Sequence, residues 1–390
     1  MTKRFNIIIT FFILISLLFG CASVPKNPNT PKPEVKNPKV VPLPPIEVGA
    51  YDVEEILSKM SLEEKIYQMM FVTPETISSN VKDPLSAETM AEYPVGGIIY
   101  FSNNLANEAQ IKKMISETQN NSRIKLFIGV DEEGGRVSRL SGIGSIEKLS
   151  PMKEIGDAGD TNKATEVGKH LGKGLKELGF NVDFAPVADV IIREDNNEIG
   201  DRSFGTDANV VALMVGEFVK GIEEEGVLSV LKHFPGHGST YANSHNGYSE
   251  SERELNELRQ TELLPFKKGI ESGSKFVMVS HMTLVNATEE KLPSSLSKEV
   301  ITDLLINELS FKGIVITDSM SMGAITNEYS KKDATLMCIK AGADMILMPP
   351  SPKDAFDAIY AAVQSGEITE ERINESVRKI LKVKKEKGII

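Results

Sequence analysis

From residue 51 onward, the chain alternates two kinds of apolar spacing. Short, nearly continuous apolar runs occupy 96–101, 126–131, 182–187, 227–232, 276–281, 313–318 and 344–348. Between them the apolar positions spread to helical spacing, over 165–178, 208–225, 252–272 and 298–309, with a last such stretch over 369–387. Runs of this length suit buried strands, and longer stretches of period 3.6 suit amphipathic helices. Strands alternating with helices predict a parallel sheet covered by helices. Val53-Glu54-Glu55-Ile56-Leu57 opens the first helical pattern, and Ser61-Leu62-Glu63-Glu64 reads as a capped start to a second. Seven strands are placed by this pattern and an eighth is not.

Polar residues cluster where these runs end: Asp131, Lys232-His233, His281 and Asp318. In a (β/α) barrel that end is the catalytic face. A doubly wound open sheet also binds ligands at strand ends, but the first strand–helix junctions lack a G-x-G-x-x-G phosphate loop. The expectation is therefore an α/β fold, a single (β/α)8-type TIM barrel over 51–390, with the 369–387 helix closing it.

The first 50 residues follow other rules. A basic start, an apolar run over 7–19 and Gly20-Cys21 have the form of a secretory signal peptide over 1–20. The run falls short of the ~20 residues a spanning helix needs. Leu18-Phe19-Gly20-Cys21 resembles a bacterial lipobox, which implies lipidation at Cys21 and anchorage in the cell envelope; plain secretion with a chance cysteine is the alternative. Eight prolines lie within 25–45, so 21–50 reads as a Pro-rich linker that cannot build a core. Cys338, in the apolar run 334–339, reads as a buried thiol. The net charge of −11 argues against nucleic acid.

Three of the five histidines fall within 233–245. His233 and His237 have the spacing of a zinc-binding helical pair, but Pro235 and Gly236 between them oppose a helix, and the required Glu is missing. No metal and no cofactor is expected. The better reading is a strand ending at Lys232-His233, followed by a long loop that carries His245, a side chain suited to proton transfer near neutral pH. Histidines satisfying loop backbone groups are the alternative. Asp318, directly after an apolar strand, is placed as a nucleophile or a metal ligand. In Gly129-Val130-Asp131-Glu132-Glu133-Gly134-Gly135-Arg136-Val137-Ser138-Arg139 the glycines allow close backbone approach, Asp131 can accept from sugar hydroxyls, and the arginines can donate. Arg202, in Asp201-Arg202-Ser203-Phe204-Gly205, offers another donor. Taken singly, each arginine also fits a surface ion pair.

Together, and in this order, these segments resemble glycoside hydrolase family 3, in particular its bacterial β-N-acetylglucosaminidases, over roughly residues 52 to 386. The resemblance implies Asp318 as nucleophile, His245 as acid/base on a loop, and Asp131, Arg139, Arg202, Lys232 and His233 as sugar-binding positions. It implies retaining exo-hydrolysis of terminal β-linked N-acetylglucosamine, with amino-sugar oligosaccharides or muropeptides as substrates. One position departs: the aspartate two residues before the family's acid/base histidine is here Asn243, and the nearest downstream carboxylates are Glu250 and Glu252. Three alternatives stay open. They are a family 3 β-glucosidase, which usually draws its acid/base carboxylate from a further C-terminal domain for which this sequence has no room, a phosphorolytic variant, and an envelope lipoprotein that binds amino sugars without turning them over.

Overall fold

The computed structural model describes residues 52–78, 83, 85–243 and 248–390. Cys21, the linker and His245 therefore lie outside the described residues. Among the described residues eleven strands follow in chain order: β1 (Met70–Val72), β2 (Gly97–Ile99), β3 (Phe127–Val130), β4 (Val182–Asp183), β5 (Leu228–Phe234), β6 (Tyr241–Asn243), β7 (Tyr248–Ser251), β8 (Phe276–Val279), β9 (Thr283–Leu284), β10 (Ile314–Thr317) and β11 (Ile346–Leu347). Eight of them form one sheet in the order β10-β8-β5-β4-β3-β2-β1-β11, and every pairing in it is parallel. A parallel bridge between Ile316 and Met345 joins the two ends. The result is the expected eight-stranded (β/α) barrel.

The strand that sequence pattern did not place is β1. It has three residues and follows the helix Leu62–Gln68 after a single intervening residue, so helix and strand merge into one stretch, Ile66 to Val72, in which Gln68 alone is polar. The capping box at Ser61 and Glu64 is present. The expected helix over 252–272 is instead two, Leu255–Gln260 and Leu263–Glu271, with Thr261 out of helical geometry between them. Pro265 accounts for the break: its ring excludes the carbonyl four residues earlier, which is that of Thr261. The stretch 298–309 forms a wide π-helix, Glu299–Glu308.

Aromatic rings fill the barrel interior. Phe71 stacks beside Phe127 at 6.5 Å and meets Phe184 edge-on at 5.3 Å, and Phe276 meets Phe127 at 5.1 Å. Glycines on neighbouring strands make room for them. A Cβ at Gly97 would lie 2.8 Å from the Phe71 ring, and one at Gly129 would lie 2.7 Å from Phe184. Alternation of large and small residues is how an eight-stranded barrel packs its inside. At the N-terminal end, Lys384 of the helix Glu370–Glu386 enters this core. Its Nζ lies 4.9 Å from the Phe127 centroid and donates to Gln68 Oε1 at 2.8 Å. The seam between β10 and β11 is held by the buried Asp344, which accepts from Val315 N–H, Ser376 Oγ and Lys379 Nζ.

Candidate active site

The opposite end of the barrel gathers the polar residues. Asp131 follows β3, Lys232 and His233 lie within β5, and Asp318 follows β10. Lys232 is buried, and its Nζ lies 2.8 Å from Asp131 Oδ1 and 2.6 Å from Glu133 Oε1. Arg202 grips Glu133 with two parallel bonds of 2.8 Å, Nε to Oε2 and Nη2 to Oε1. Such fork geometry is the strong form of an arginine–carboxylate pair. Burial alone would push the Glu133 carboxyl up, but Lys232 and Arg202 outweigh it and bring it down to about 2. Arg139 Nη2 approaches Asp131 Oδ2 at 3.8 Å, and its guanidinium lies 5.7 Å from the Phe101 ring centroid. Every arginine and carboxylate named here is thus oriented by a neighbour, and none is a solitary surface charge.

His233 is oriented from below. Its Nδ1 lies 2.8 Å from Asp189 Oδ2, and the same carboxylate accepts from the backbone N–H groups of His233 and, at 2.6 Å, His237. With Nδ1 donating, Nε2 is the open face of the ring, 3.4 Å from Arg202 Nη2. Asp189 is fully buried; burial raises its carboxyl, but His233 and His237 carry it below its ordinary value.

Asp318 is partly open to solvent. Its Oδ1 accepts from Ser319 N–H at 2.7 Å, while Oδ2 has no hydrogen bond among the described residues. Burial opposes ionisation, yet His281, His233, the Ser319 N–H and Lys232 together hold this carboxyl below its usual range. An ionised carboxylate with one oxygen pinned and one free can act as a nucleophile. The buried His281 braces the backbone beside it. Its Nε2 lies 2.9 Å from the Ser319 carbonyl oxygen and its Nδ1 2.7 Å from Ser295 Oγ. Because a carbonyl can only accept, Nε2 carries a proton and donates it to this bond. Burial pushes the His281 imidazole down, while the Asp318 carboxylate beside it and the bond to the Ser319 carbonyl pull it up.

Asn243 ends β6, opposite Tyr248 of β7 in an antiparallel hairpin, and Glu250 on β7 pairs with Tyr241 and, on its other side, with Thr283 of β9. Position 245 falls in the connection between β6 and β7. The stretch after β5, expected to be a loop, thus includes the two paired strands β6 and β7.

Six of the residues singled out in the sequence (Asp131, Arg139, Arg202, Lys232, His233 and Asp318) surround one barrel mouth. Glu133, Asp189 and His281 belong with them and were not singled out as site residues. Glu133 lay in plain view beside Asp131, and His281 at a strand end. The signal for Asp189 was an acidic residue in the apolar run Val187-Ala188-Asp189-Val190, just beyond a strand.

A family model described as the glycosyl hydrolase family 3 N terminal domain matches residues 61–383. Beta-hexosaminidase A of Pseudoalteromonas piscicida is 32% identical over 332 residues, covering 77% of this chain and 55% of that protein. Beta-hexosaminidase LpqI of Mycobacterium tuberculosis is 31% identical, covering 83% of each. The chain thus spans about half the length of the first relative and most of the second. A solved glycoside hydrolase family 3 beta-N-acetylglucosaminidase from Paenibacillus sp. str. FPU-7 matches with a TM-score of 0.79 at 37% identity, over 85% of this chain and 63% of that one. With a family model spanning 61–383 and a barrel whose mouth carries these side chains, the chain belongs to glycosyl hydrolase family 3.

Proposed function

We propose that the protein is a retaining exo-β-N-acetylglucosaminidase in which Asp318 is the nucleophile and His245 the acid/base. The observation that carries this reading is the Asp318 carboxylate, held ionised with a free Oδ2 beside a cradle of Lys232, Asp131, Arg139, Arg202 and His233. A terminal sugar is bound through its hydroxyls by that cradle, with its anomeric carbon toward Asp318. Asp318 attacks that carbon while His245 protonates the departing glycosidic oxygen. The resulting glycosyl ester is then opened by water, whose proton passes to the now neutral His245. This is the two-step course of retaining glycosidases, with an imidazole in place of one carboxyl group. The names of the relatives support an amino sugar as the glycone. Fragments of peptidoglycan or chitin-type oligosaccharides are the substrates proposed.

Turnover of 4-nitrophenyl N-acetyl-β-glucosaminide, with the β-glucoside as comparison, tests the proposal. Equal or faster cleavage of the β-glucoside would refute the amino-sugar specificity, and sugar 1-phosphate formed in phosphate buffer would refute hydrolysis.

We further propose that Cys21 is acylated after removal of 1–20, and that the Pro-rich linker holds the barrel off an envelope membrane. Cys21→Ser should shift the protein from the detergent phase to the aqueous phase. An unmodified mature N-terminus in the wild-type protein, by mass spectrometry, would exclude the anchor.

A further inference from the structure

The hairpin of β6 and β7 is tied down at its base by side chains that take no part in the chemistry above. Ser239, just before β6, and Ser251, the last residue of β7, are both buried, and their hydroxyl oxygens lie 2.9 Å apart. The contact has a direction. Ser239 Oγ donates its one hydrogen to the Gly236 carbonyl at 3.5 Å, so the hydrogen shared between the two serines is that of Ser251, whose Oγ also accepts from the Arg253 N–H at 3.3 Å. Arg253 is itself held, with Nε 3.0 Å from the buried Glu262.

A second tie leads from the hairpin to the sugar-binding cluster. Thr240 Oγ1 lies 3.1 Å from His237 Nδ1 and 2.9 Å from the His237 carbonyl. Asn196 Nδ2 donates to that same carbonyl at 2.8 Å and reaches Thr240 Oγ1 at 3.4 Å. His237 N–H donates to Asp189 Oδ1 at 2.6 Å, on the carboxylate that also orients His233. A continuous path of short contacts thus joins the ring facing the sugar to the strand leading to position 245.

Burying two hydroxyls against each other adds only about 1 kcal/mol net to stability, and apolar groups of the same shape serve nearly as well. A hydroxyl pair does supply a defined distance and direction between two strand ends. We propose that the Ser239–Ser251 pair, with Thr240 seated on His237, sets the position of the hairpin base relative to the bound sugar, making these positioning residues for proton delivery to the leaving group. The inference rests on the reading of His245 as the acid/base.

The experiment compares kcat/KM of the full-length protein and its Ser239→Ala, Ser251→Ala, Ser251→Thr and His245→Ala variants. The substrates are N-acetyl-β-glucosaminides with leaving groups of graded acidity, from 2,4-dinitrophenol through phenol to N-acetylglucosamine itself. kcat/KM reports the first chemical step, where the leaving group departs. A misplaced proton donor harms poor leaving groups and spares good ones. Ser239→Ala and Ser251→Ala should each lose about 10- to 100-fold on the disaccharide, the scale of a small misplacement. Loss on the dinitrophenyl substrate should stay within about twofold, because that step needs little proton delivery. Ser251→Thr, which keeps the hydroxyl, should recover much of the loss, and the two alanine changes combined should cost no more than either alone. A uniform loss across all leaving groups, while His245→Ala shows the graded pattern, makes the serines merely structural and overturns the inference. If His245→Ala itself lacks the graded pattern, the acid/base reading has failed instead. Should one alanine variant not fold, the other interrogates the same contact.

Discussion

Glu133 Oε1 lies 2.6 Å from Lys232 Nζ, with 2% and 3% of the two side chains exposed. They are 99 residues apart in sequence and occupy neighbouring positions at the barrel mouth. The carboxylate neutralises a lysine that would otherwise be charged and buried, and Arg202 completes the arrangement from the other side. Lys232 can then offer Asp131 and a substrate its remaining N–H donors without leaving its place.

Glu133→Gln should remove a buried countercharge and leave two cations facing each other. Breaking a buried pair from one side costs about 3–5 kcal/mol, so urea unfolding at pH 7 should show a loss of that size. The folded carboxyl is brought down to about 2 from an ordinary value near 4.5. Its contribution is therefore complete above about pH 4.5 and disappears as pH falls through 2. The variant's stability should depend less on pH in that window. An unchanged acid limb would remove Glu133 from the account.

Asp318→Asn should abolish turnover by several orders of magnitude while leaving the fold and sugar binding intact, since the amide fills the same space but cannot form the ester. A 2-deoxy-2-fluoro or 5-fluoro glycosyl inactivator should label the peptide containing Asp318. Labelling of a different carboxylate, with the Asn variant still active, would falsify the nucleophile assignment.

Asn243 can accept a hydrogen bond from the acid/base imidazole through its carbonyl oxygen, but it brings no negative charge to stabilise the imidazolium. Each pKa unit of lost stabilisation corresponds to about 1.4 kcal/mol. The wild-type protein should accordingly be slow on natural disaccharides, with its activity falling off early as pH rises. Asn243→Asp should raise turnover on N,N′-diacetylchitobiose more than on the nitrophenyl substrate, and should extend the alkaline limb. Because Asn-Ser pairs deamidate, intact mass must confirm Asn243 first. Should rate and pH profile stay put, Glu250 and Glu252 become the next residues to replace.

Lys384 gives a stability prediction at the far end of the barrel. Burial brings its ammonium down to about 7, against about 10.4 in an unfolded chain. Between those values the unfolded chain binds more protons, so this lysine makes stability rise with pH from about 7 to 10.4, by up to a few kcal/mol. Below pH 7 the cost of burying the charge is present in full. Lys384→Met should flatten the slope of unfolding free energy between pH 7 and 10 relative to wild type. Parallel slopes for the two proteins would show that the lysine is solvated where it lies.

The barrel was legible because its strands are buried on both faces and its helices on one, so each leaves its own period in the residue order. Asp131, Lys232-His233 and Asp318 were legible for a related reason: the chain puts polar residues where a buried run ends, and in parallel sheets those ends share one face. The strand Met70–Val72 was hidden because too little chain separates it from the preceding helix for the period to change visibly. The break at Thr261 was hidden because Pro265 acts on a carbonyl four residues upstream, which spacing alone does not report. What only the tertiary structure decided is pairing: Glu133 with Arg202, Asp189 with His233, His281 with the Ser319 carbonyl, Ser239 with Ser251. Each joins groups 12 to 69 positions apart. Hydrogen bonds and ion pairs act over about 3 Å in space, whereas a sequence records only order along the chain. Residue types and strand ends named the chemistry available here, and closure of the barrel chose which groups meet to perform it.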